Sequence, residues 1–233
     1  MNYDDMNNNR VVLAGTVISK PIFSHEVMGE GFYEFDMSIL RLSMQEDTLP
    51  ITISERLMSE VEVKEGSKIT ITGQFRSYNK LDSNKSRLML TVFARTISEY
   101  DPEVNPNTIE LEGFICKQPM YRTTPFKREI CDLLVAVNRA YNKSDYIPCI
   151  AWGRNARFVK NLTVGDKIAI SGRIQSREYQ KKLSEAEVKT MTAYEVSVSK
   201  LAAFDSAEDF DIESEFDLYS VQNKADALAV SEY

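Results

Sequence analysis

The chain has 233 residues with 28 Lys and Arg, 35 Asp and Glu and one His, which give a formal net charge of −7 at pH 7. This length predicts one or two domains. No apolar run approaches the ~18 residues of a membrane-spanning helix, and the opening MNYDDMNNN is polar and acidic, unlike a secretion signal. The composition therefore predicts a cytoplasmic protein with no membrane partner.

The second half of the chain repeats turn and strand residues of the first half. Gly15, Pro21, Pro50, Gly66, Lys68, Ile69, Ile71 and Gly73 recur as Gly113, Pro119, Pro148, Gly165, Lys167, Ile168, Ile170 and Gly172. The offset of about 98 residues is too long for a solenoid unit and is typical of a duplicated small domain. The sequence therefore predicts two tandem domains of related fold.

Each copy is rich in predicted strands and poor in helix. The predicted strands are 10–19, 32–42, 48–53, 67–77 and 86–97 in the first copy, and 109–117, 130–138, 146–152, 167–176 and 193–200 in the second. One short helix follows the third strand of each copy, at 55–63 and at 154–161. Five strands with a helix between the third and fourth is the order of the OB fold. We therefore predict an all-β protein of two tandem OB-fold five-stranded barrels.

One strand in each copy carries an internal glycine. The runs KITITGQF and KIAISGRI alternate apolar and polar residues, as a half-buried strand does. A glycine inside such a strand predicts a bulge or a sharp bend where a small barrel closes.

The composition changes at two places along the chain. The run DPEVNPN has two prolines and no apolar periodicity, which is typical of a linker. From Asp205 the run AEDFDIESEFDLYS interleaves acids with apolar residues, which predicts a disordered acidic tail or, alternatively, a segment that docks on a partner protein. The predicted parts are a flexible N-terminus (1–9), OB-fold domain 1 (10–100), a linker (101–107), OB-fold domain 2 (108–203) and an acidic C-terminal tail (204–233).

The charges are divided unequally among these parts. Residues 1–106 have 11 basic and 16 acidic residues, a net of −5, and residues 204–233 have 1 basic and 9 acidic, a net of −8. Residues 107–203 have 16 basic and 10 acidic, a net of +6. An acidic protein with one basic domain is expected to bind an anionic partner through that domain.

An OB barrel that binds single strands combines a positive groove with aromatic faces on which bases stack. The second copy has both kinds of residue at its strand ends and loops. Alternation on its fourth strand predicts that Arg173, Gln175 and Arg177 face outward together on one exposed strip. The alternative interpretation is that these are ordinary solubilising charges. The candidate nucleic-acid-binding residues are Arg122, Lys127, Arg128, Arg139, Tyr141, Lys143, Tyr146, Trp152, Arg154, Arg157, Arg173, Gln175, Arg177, Tyr179, Lys181 and Lys182.

Trp152 has two interpretations, because a lone tryptophan on a strand is either a core residue or a stacking surface. In the first copy Ser54 stands where Trp152 stands, and residues 41–44 offer no aromatic opposite Tyr141. The first barrel is therefore expected to bind nucleic acid weakly or not at all, and to serve structure or assembly.

No residues of the chain form a recognisable catalytic or metal-binding motif. Cys116, Cys131 and Cys149 lie in apolar strand-like contexts without a C-x-x-C pair, and His25 is the one histidine. These cysteines are expected to be reduced core thiols. No metal, no cofactor and no catalytic residue is predicted, so the protein is not expected to be an enzyme.

Four runs of the second copy carry a family resemblance: TIELEGFICKQPMYRTT, LLVAVNRAY, IPCIAWGRNARF and VGDKIAISGRIQSREYQKK. They resemble the bacterial single-stranded-DNA-binding proteins, in the form found in clostridia and related Gram-positive bacteria. The resemblance implies non-catalytic binding and protection of single-stranded DNA in replication, recombination and repair, at the nucleoid. It also implies that bases stack on Tyr141, Tyr146, Trp152 and Tyr179.

The resemblance extends to assembly. Two-barrel relatives pair as homodimers, so a homodimer with four barrels is expected. The acidic tail of the family docks replication and repair proteins through an acid-proline-phenylalanine tip, whereas this chain is acidic over 205–217 but ends in ADALAVSEY.

Other functions remain open from the sequence. The barrels could form an assembly adaptor in a primosome or in recombination that contacts mainly proteins. They could also bind single-stranded RNA, because stacking and phosphate contacts discriminate poorly between the two nucleic acids.

Overall fold

The computed structural model describes residues 8–41, 43–82, 85–182 and 188–204. The start of the predicted flexible N-terminus (1–7) and the predicted tail from residue 205 onward lie outside the described residues. In the described part, no helix is long and apolar enough to cross a membrane. The first copy contains β1 (Asn9–Val17), β2 (Ile22–Val27), β3 (Glu30–Leu40), β4 (Glu46–Ser54), α1 (Glu55–Met58), β5 (Lys68–Asp82) and β6 (Lys85–Glu99). The second contains β7 (Asn107–Ile115), β8 (Met120–Thr123), β9 (Glu129–Arg139), β10 (Lys143–Trp152), α2 (Arg154–Val159), β11 (Lys167–Lys182) and β12 (Val188–Phe204).

The strands form two barrels with the same topology. The sheet order is β2-β3-β4-β6-β5-β1 in the first copy and β7-β11-β12-β10-β9-β8 in the second. Pairing of β1 with β3 closes the first barrel, and pairing of β7 with β9 closes the second. The pairs β4–β6 and β10–β12 are parallel, and the other strand pairs of each described barrel are antiparallel. The prediction of a tandem, all-β, OB-like fold is confirmed.

The two barrels are joined edge to edge by their first strands. β1 and β7 pair antiparallel about Val11 and Ile109, which makes the join nearly symmetric. An asparagine on each strand fixes its own barrel: Asn9 exchanges two hydrogen bonds with the backbone of Phe75, at 2.8 and 2.9 Å. Asn107 does the same with Ile174, at 2.7 and 2.9 Å. The duplication is therefore preserved in the hydrogen bonds of the join.

A buried aspartate of each barrel also accepts a hydrogen bond from a strand of the other barrel. Asp145 accepts a hydrogen bond from the backbone N–H of Ser77 at 2.8 Å, and Asp47 accepts one from that of Ser176 at 2.8 Å. Both carboxylates are buried and each pairs with an arginine of its own hairpin, Arg139 or Arg41. Since buried polar groups without partners are costly, these reciprocal bonds fix the barrels relative to each other.

The internal glycines lie at strand irregularities, as predicted. The pairing register shifts between Thr72 and Gly73 in the first barrel and between Ser171 and Gly172 in the second. A Cβ atom on Gly73 would collide with the carbonyl oxygen of Phe93, and one on Gly172 with that of Ser197. Glycine is needed there because two backbones approach too closely for a side chain.

The three cysteines are free thiols that are shielded from solvent to different degrees. Cys131 and Cys149 are buried in the core, as predicted, and Cys116 is half-buried. Burial raises the pKa of Cys116 to about 12 and that of Cys131 to about 11, so both thiols stay protonated near neutral pH.

Three features differ from the sequence prediction. β2 and β8 were not predicted, because all six residues of β2 are exposed and β8 has only four residues. The hairpins β5–β6 and β11–β12 extend beyond the predicted strands, since their far ends leave the barrel and lose the alternation that burial imposes. α1 ends at Met58 instead of residue 63, and Val61 and Val63 pack against the core from a non-helical segment.

Candidate nucleic-acid interface

The strands of the second barrel turn alternate side chains to the core and to an outer face. On β10, Ile147, Cys149 and Ala151 point to the core, so Tyr146 and Trp152 point outward. The same alternation applies on β8, β9, β12 and β11. The outward side chains considered below, which we call the second-barrel face, are Met120, Arg122, Ile130, Asp132, Tyr146, Trp152, Arg173, Gln175, Arg177, Glu195 and Ser197.

Trp152 lies at one end of this face. It pairs across the strands with Ile130, which pairs in turn with Arg122, and its side chain is 37% exposed. Arg122 is held by Asp132, with Nε 3.1 Å from Oδ2. Trp152 is therefore a surface aromatic with a cation two strands away, and not a core residue.

Basic loop residues gather near Trp152. The N–H of Gly153 donates to the carbonyl of Glu129 at 2.9 Å, which brings the β8–β9 turn next to the start of α2. Gly153 has φ +53°, so the strand turns sharply into the helix directly after Trp152. Arg157 forms an ion pair with Glu129 at 3.0 Å. The exposed cations at this end of the face are Lys127, Arg128, Arg154 and Arg157.

The centre of the face is more buried than the sequence suggests. Arg173, Gln175 and Arg177 share one side of β11 as predicted, but they do not form an exposed strip, because Gln175 is only 8% exposed. Gln175 donates to Glu195 on the neighbouring strand at 2.8 Å and accepts from Arg173 at 3.1 Å. Burial and the nearby charge of Arg41 lower the pKa of Arg173.

The opposite end of the face holds Tyr146 and the β9–β10 hairpin. Tyr146 is half-buried, and its backbone N–H donates to the hydroxyl of Ser77 in the first barrel at 2.8 Å. Nη1 of Arg139 lies 3.3 Å from Oδ1 of Asp145. Lys143 is in register with Arg139 on the neighbouring strand and is exposed. Tyr141 at the hairpin tip is 87% exposed. This end of the face therefore meets the seam between the barrels.

The remaining candidates lie along the β11–β12 hairpin. Tyr179 is half-buried and pairs opposite Met191, and Lys181 pairs opposite Lys189. Lys182 pairs opposite Val188 by its backbone. The hairpin carries these residues away from the centre of the barrel as a basic arm.

Sequence reasoning missed an aromatic and two acids near the face. Phe126 is 87% exposed in the β8–β9 turn, beside Lys127, and its place in a polar basic loop was an available signal. Asp132 and Glu195 lie on the face itself, where each pairs with a predicted nucleic-acid contact. Strand alternation would place both acids outward, but their partners lie on other strands and become visible only in the fold.

The cations divide into paired and unpaired groups. Arg122, Arg139 and Arg157 have carboxylate partners within 3.3 Å. In the part of the chain that the structure describes, no ion pair is formed by Lys127, Arg128, Lys143, Arg154 or Arg177. An anion can approach the second group without first displacing a carboxylate.

Comparison with known proteins gives sequence matches in the second barrel. The model of the single-strand binding protein family matches residues 106–203. Single-stranded DNA-binding protein 1 of Staphylococcus aureus is 36% identical over 81 residues, which is 32% of this chain and 48% of that protein. The single-stranded DNA-binding protein of Clostridium tetani is 35% identical over 83 residues, 33% of this chain and 57% of that protein. The chain thus spans about half the length of these relatives.

Solved structures extend the comparison to both barrels. The wild-type single-stranded DNA binding protein from Thermus aquaticus has a TM-score of 0.65 and 19% identity, and the match covers 87% of this chain and 96% of that one. At that identity the likeness is one of fold. A dimeric structure of the N-terminal domain of PriB protein from Thermoanaerobacter tencongensis is 46% identical, covers 42% of this chain and 100% of its own, and has a TM-score of 0.36. The basic second barrel of this chain, residues 106–203, is therefore the part that is similar to the single-strand binding protein family.

Proposed function

We propose that the protein binds and protects single-stranded DNA without catalysing a reaction, and that the second-barrel face is its main binding surface. Such binding serves replication, recombination and repair, where single strands are exposed. Bases stack on Trp152, Tyr146 and the loop aromatics, and the unpaired Lys and Arg residues contact phosphates.

The single observation that carries this proposal is the setting of Trp152. It is an exposed aromatic at the end of β10, and cations surround it on β8, in the β8–β9 turn and on α2. Stacking surface and positive charge at one place are what single-strand binding needs, since every base has a π-face and every nucleotide a phosphate. The relatives named above are single-stranded DNA-binding proteins, which supports the same substrate here.

Replacing Trp152 by alanine tests the proposal. Stacking is worth about 1–3 kcal/mol per base, so Trp152→Ala is expected to weaken binding of a poly-dT oligomer by about tenfold or more, measured by fluorescence anisotropy. Tyr100→Ala is the matched control, because Tyr100 is similarly exposed at 41% but lies at the end of the first barrel. Equal affinity of both variants and the wild type would remove Trp152 from the site.

Salt dependence and the choice of oligomer separate the rival functions. Phosphate contacts release counterions, so affinity should fall steeply as salt rises. An assembly adaptor would show negligible DNA binding at physiological salt. An oligomer of uridines that binds more tightly than one of thymidines would favour RNA.

Three further parts of the proposal concern organisation. Residues 10–100 and 108–203 serve as separate domains with 101–107 as the linker. Two chains pair as a homodimer with four barrels, so light scattering should give the mass of two chains, and the mass of one chain would overturn this. The acid-rich residues 204–233 dock replication and repair proteins in the cytoplasm; a chain ending at residue 204 should lose these partners in pull-downs, and equal recovery would contradict it.

A further inference from the structure

The first barrel carries an aromatic and cationic cluster that comparison of equivalent positions does not reveal. His25 stacks on Phe32 with ring centroids 5.1 Å apart and an interplanar angle of 10°, and Phe32 lies 5.6 Å from Phe93. The guanidinium of Arg76 covers Phe93 at 4.1 Å, and that of Arg95 lies 5.7 Å from the same ring. We call these five residues the first-barrel cluster.

The cluster crosses the outer face of the sheet. Its members lie on β2 (His25), β3 (Phe32), β6 (Phe93, Arg95) and β5 (Arg76). β3 and β6 flank β4, so their backbones are about 9–10 Å apart, yet the two phenylalanine rings meet. They lean together above β4, where the residues in register with them are the small Ser54 and Thr52.

At the equivalent place in the second barrel, large and small side chains exchange strands. There the central strand carries the large ring, Trp152, where the first barrel has Ser54. The flanking strand has Ile130 in register with Trp152, as Phe32 is with Ser54. The other flanking strand has Ser197 in register with Ile150, as Phe93 is with Thr52. Both barrels therefore present aromatic surface at the same location, supplied by different strands.

The two arginines of the cluster have a neutral hydrogen-bond partner in place of a carboxylate. In the described residues Arg76 forms no ion pair, and its hydrogen bonds go to the neutral amide oxygen of Gln74, at 2.8 and 3.3 Å. Arg95 also points to that oxygen, at 3.5 Å. Burial, first, and the positive charges of Arg95 and Arg139 lower the pKa of Arg76 to about 10, despite Asp145 nearby. A half-buried cation beside like charges is relieved by an anion, and a phosphate supplies one.

The cluster continues the second-barrel face across the seam. Arg139, whose positive charge helps to lower the pKa of Arg76, belongs to the β9–β10 hairpin. Ser77, next to Arg76, bonds the backbone N–H of Tyr146 and the carboxylate of Asp145. A strand that leaves the second barrel near Tyr146 and Arg139 therefore meets Arg76 next.

We propose that the first-barrel cluster is a second binding site for the same single-stranded nucleic acid, with bases stacking on Phe32 and Phe93 and a phosphate held by Arg76 and Arg95. His25 occupies the outer ring face of Phe32 in the absence of a base. This proposal rests on the proposed function, and it assigns to the first barrel a binding surface beyond its part in structure or assembly.

Oligomers of two lengths test it on the full chain. An OB barrel occupies roughly 4–16 nucleotides, so a dT oligomer of about 8 should fill the second barrel alone and one of about 30 should cover both. The double variant with Phe32→Ala and Phe93→Ala should bind the long oligomer about tenfold more weakly and the short one as the wild type does. Unchanged affinity for the long oligomer would overturn the proposal.

A charge variant covers the case in which the double variant fails to fold. Arg95 is exposed, so Arg95→Gln should fold normally. Loss of one phosphate contact should lower the slope of log affinity against log salt by about 0.7 for the long oligomer only. Arg56→Gln is the matched control, since Arg56 is exposed on α1 and pairs with Glu60. Identical slopes for the Arg95 variant, the Arg56 variant and the wild type would overturn the proposal.

The two proposals fail in different ways. If the second-barrel face does not bind DNA, Trp152→Ala leaves the short oligomer unaffected. If only the first-barrel cluster is wrong, Trp152→Ala still weakens the short oligomer, while the Phe32, Phe93 and Arg95 variants bind both lengths as the wild type does.

Discussion

Tyr141 occupies a backbone conformation that its own side chain disfavours. Its φ is +63°, in the left-handed region that costs a non-glycine residue about 1–2 kcal/mol, and its side chain is 87% exposed. Neither local preference nor packing in the free protein explains a tyrosine there. A stacking contact in the proposed complex with DNA would explain it, which is the kind of hypothesis that a backbone outlier permits.

Replacing Tyr141 by glycine should therefore move stability and affinity in opposite directions. Tyr141→Gly relieves the strained φ and is expected to raise the free energy of unfolding by about 1 kcal/mol, measured by urea denaturation. It removes one stacking surface, so binding of poly-dT should weaken several-fold.

The phenylalanine variant is the control for this change. Tyr141→Phe keeps both the ring and the strain, so its stability and affinity should stay close to those of the wild type. Wild-type affinity in the glycine variant would mean that Tyr141 does not contact DNA.

At the scale of single elements, the repeated glycines mark where each barrel bends. Gly73 and Gly172 stand at the register shifts of β5 and β11, and a side chain on either would meet backbone atoms that cannot move aside alone. The extra residue at the shift is Ser199 on β12, while β11 keeps its alternation through the glycine, since Ile170 and Ile174 both lie in the core.

Gly172→Ala is expected to lower the free energy of unfolding by about 3 kcal/mol, because the added Cβ overlaps the carbonyl oxygen of Ser197. Thermal or urea unfolding measures this loss. Ser171→Ala, one residue earlier on the same strand, should change stability by much less. A Gly172→Ala variant as stable as the wild type would show that the two backbones are not held so closely.

Elements with periodic burial could be predicted from sequence, and those without it could not. The strand around Ile168 and Ile170 alternates because one side faces the core, so its position and phase follow from the residues. β2 has no buried residue and therefore no alternation, and it escaped prediction for that reason. α1 was predicted too long because Val61 follows Leu57 at helical spacing, whereas Val61 and Val63 both pack on the core outside the helix.

For the site, residues on one strand could be predicted and pairs between strands could not. Alternation placed Arg173, Gln175 and Arg177 on one side of β11. Glu195, which accepts a hydrogen bond from the buried Gln175, lies on β12 and could not be paired with it from the sequence. Ser54 suggested an empty first barrel because Phe32 and Phe93 come from other strands and meet above it only in the folded sheet. A single sequence does not state which strands are neighbours, and that limited the prediction.

At the scale of the whole molecule, the duplication produced two barrels that hold each other in place. The β1–β7 pairing and the reciprocal bonds of Asp47 and Asp145 reproduce, within one chain, a nearly symmetric join. This join brings the hairpin of Arg139 beside Arg76 of the other barrel. In our account, single-stranded DNA can pass from the basic second barrel onto the first barrel and stay in contact with basic residues along the way.

The most direct measurement of the central claim uses Trp152, the one tryptophan in the chain. Its emission can be followed while the unmodified protein is titrated with poly-dT at low salt. We predict saturable quenching, as bases stack on the indole, and recovery of the emission when salt is added. Binding of the oligomer with no change in tryptophan emission, or no binding at all, would contradict the account.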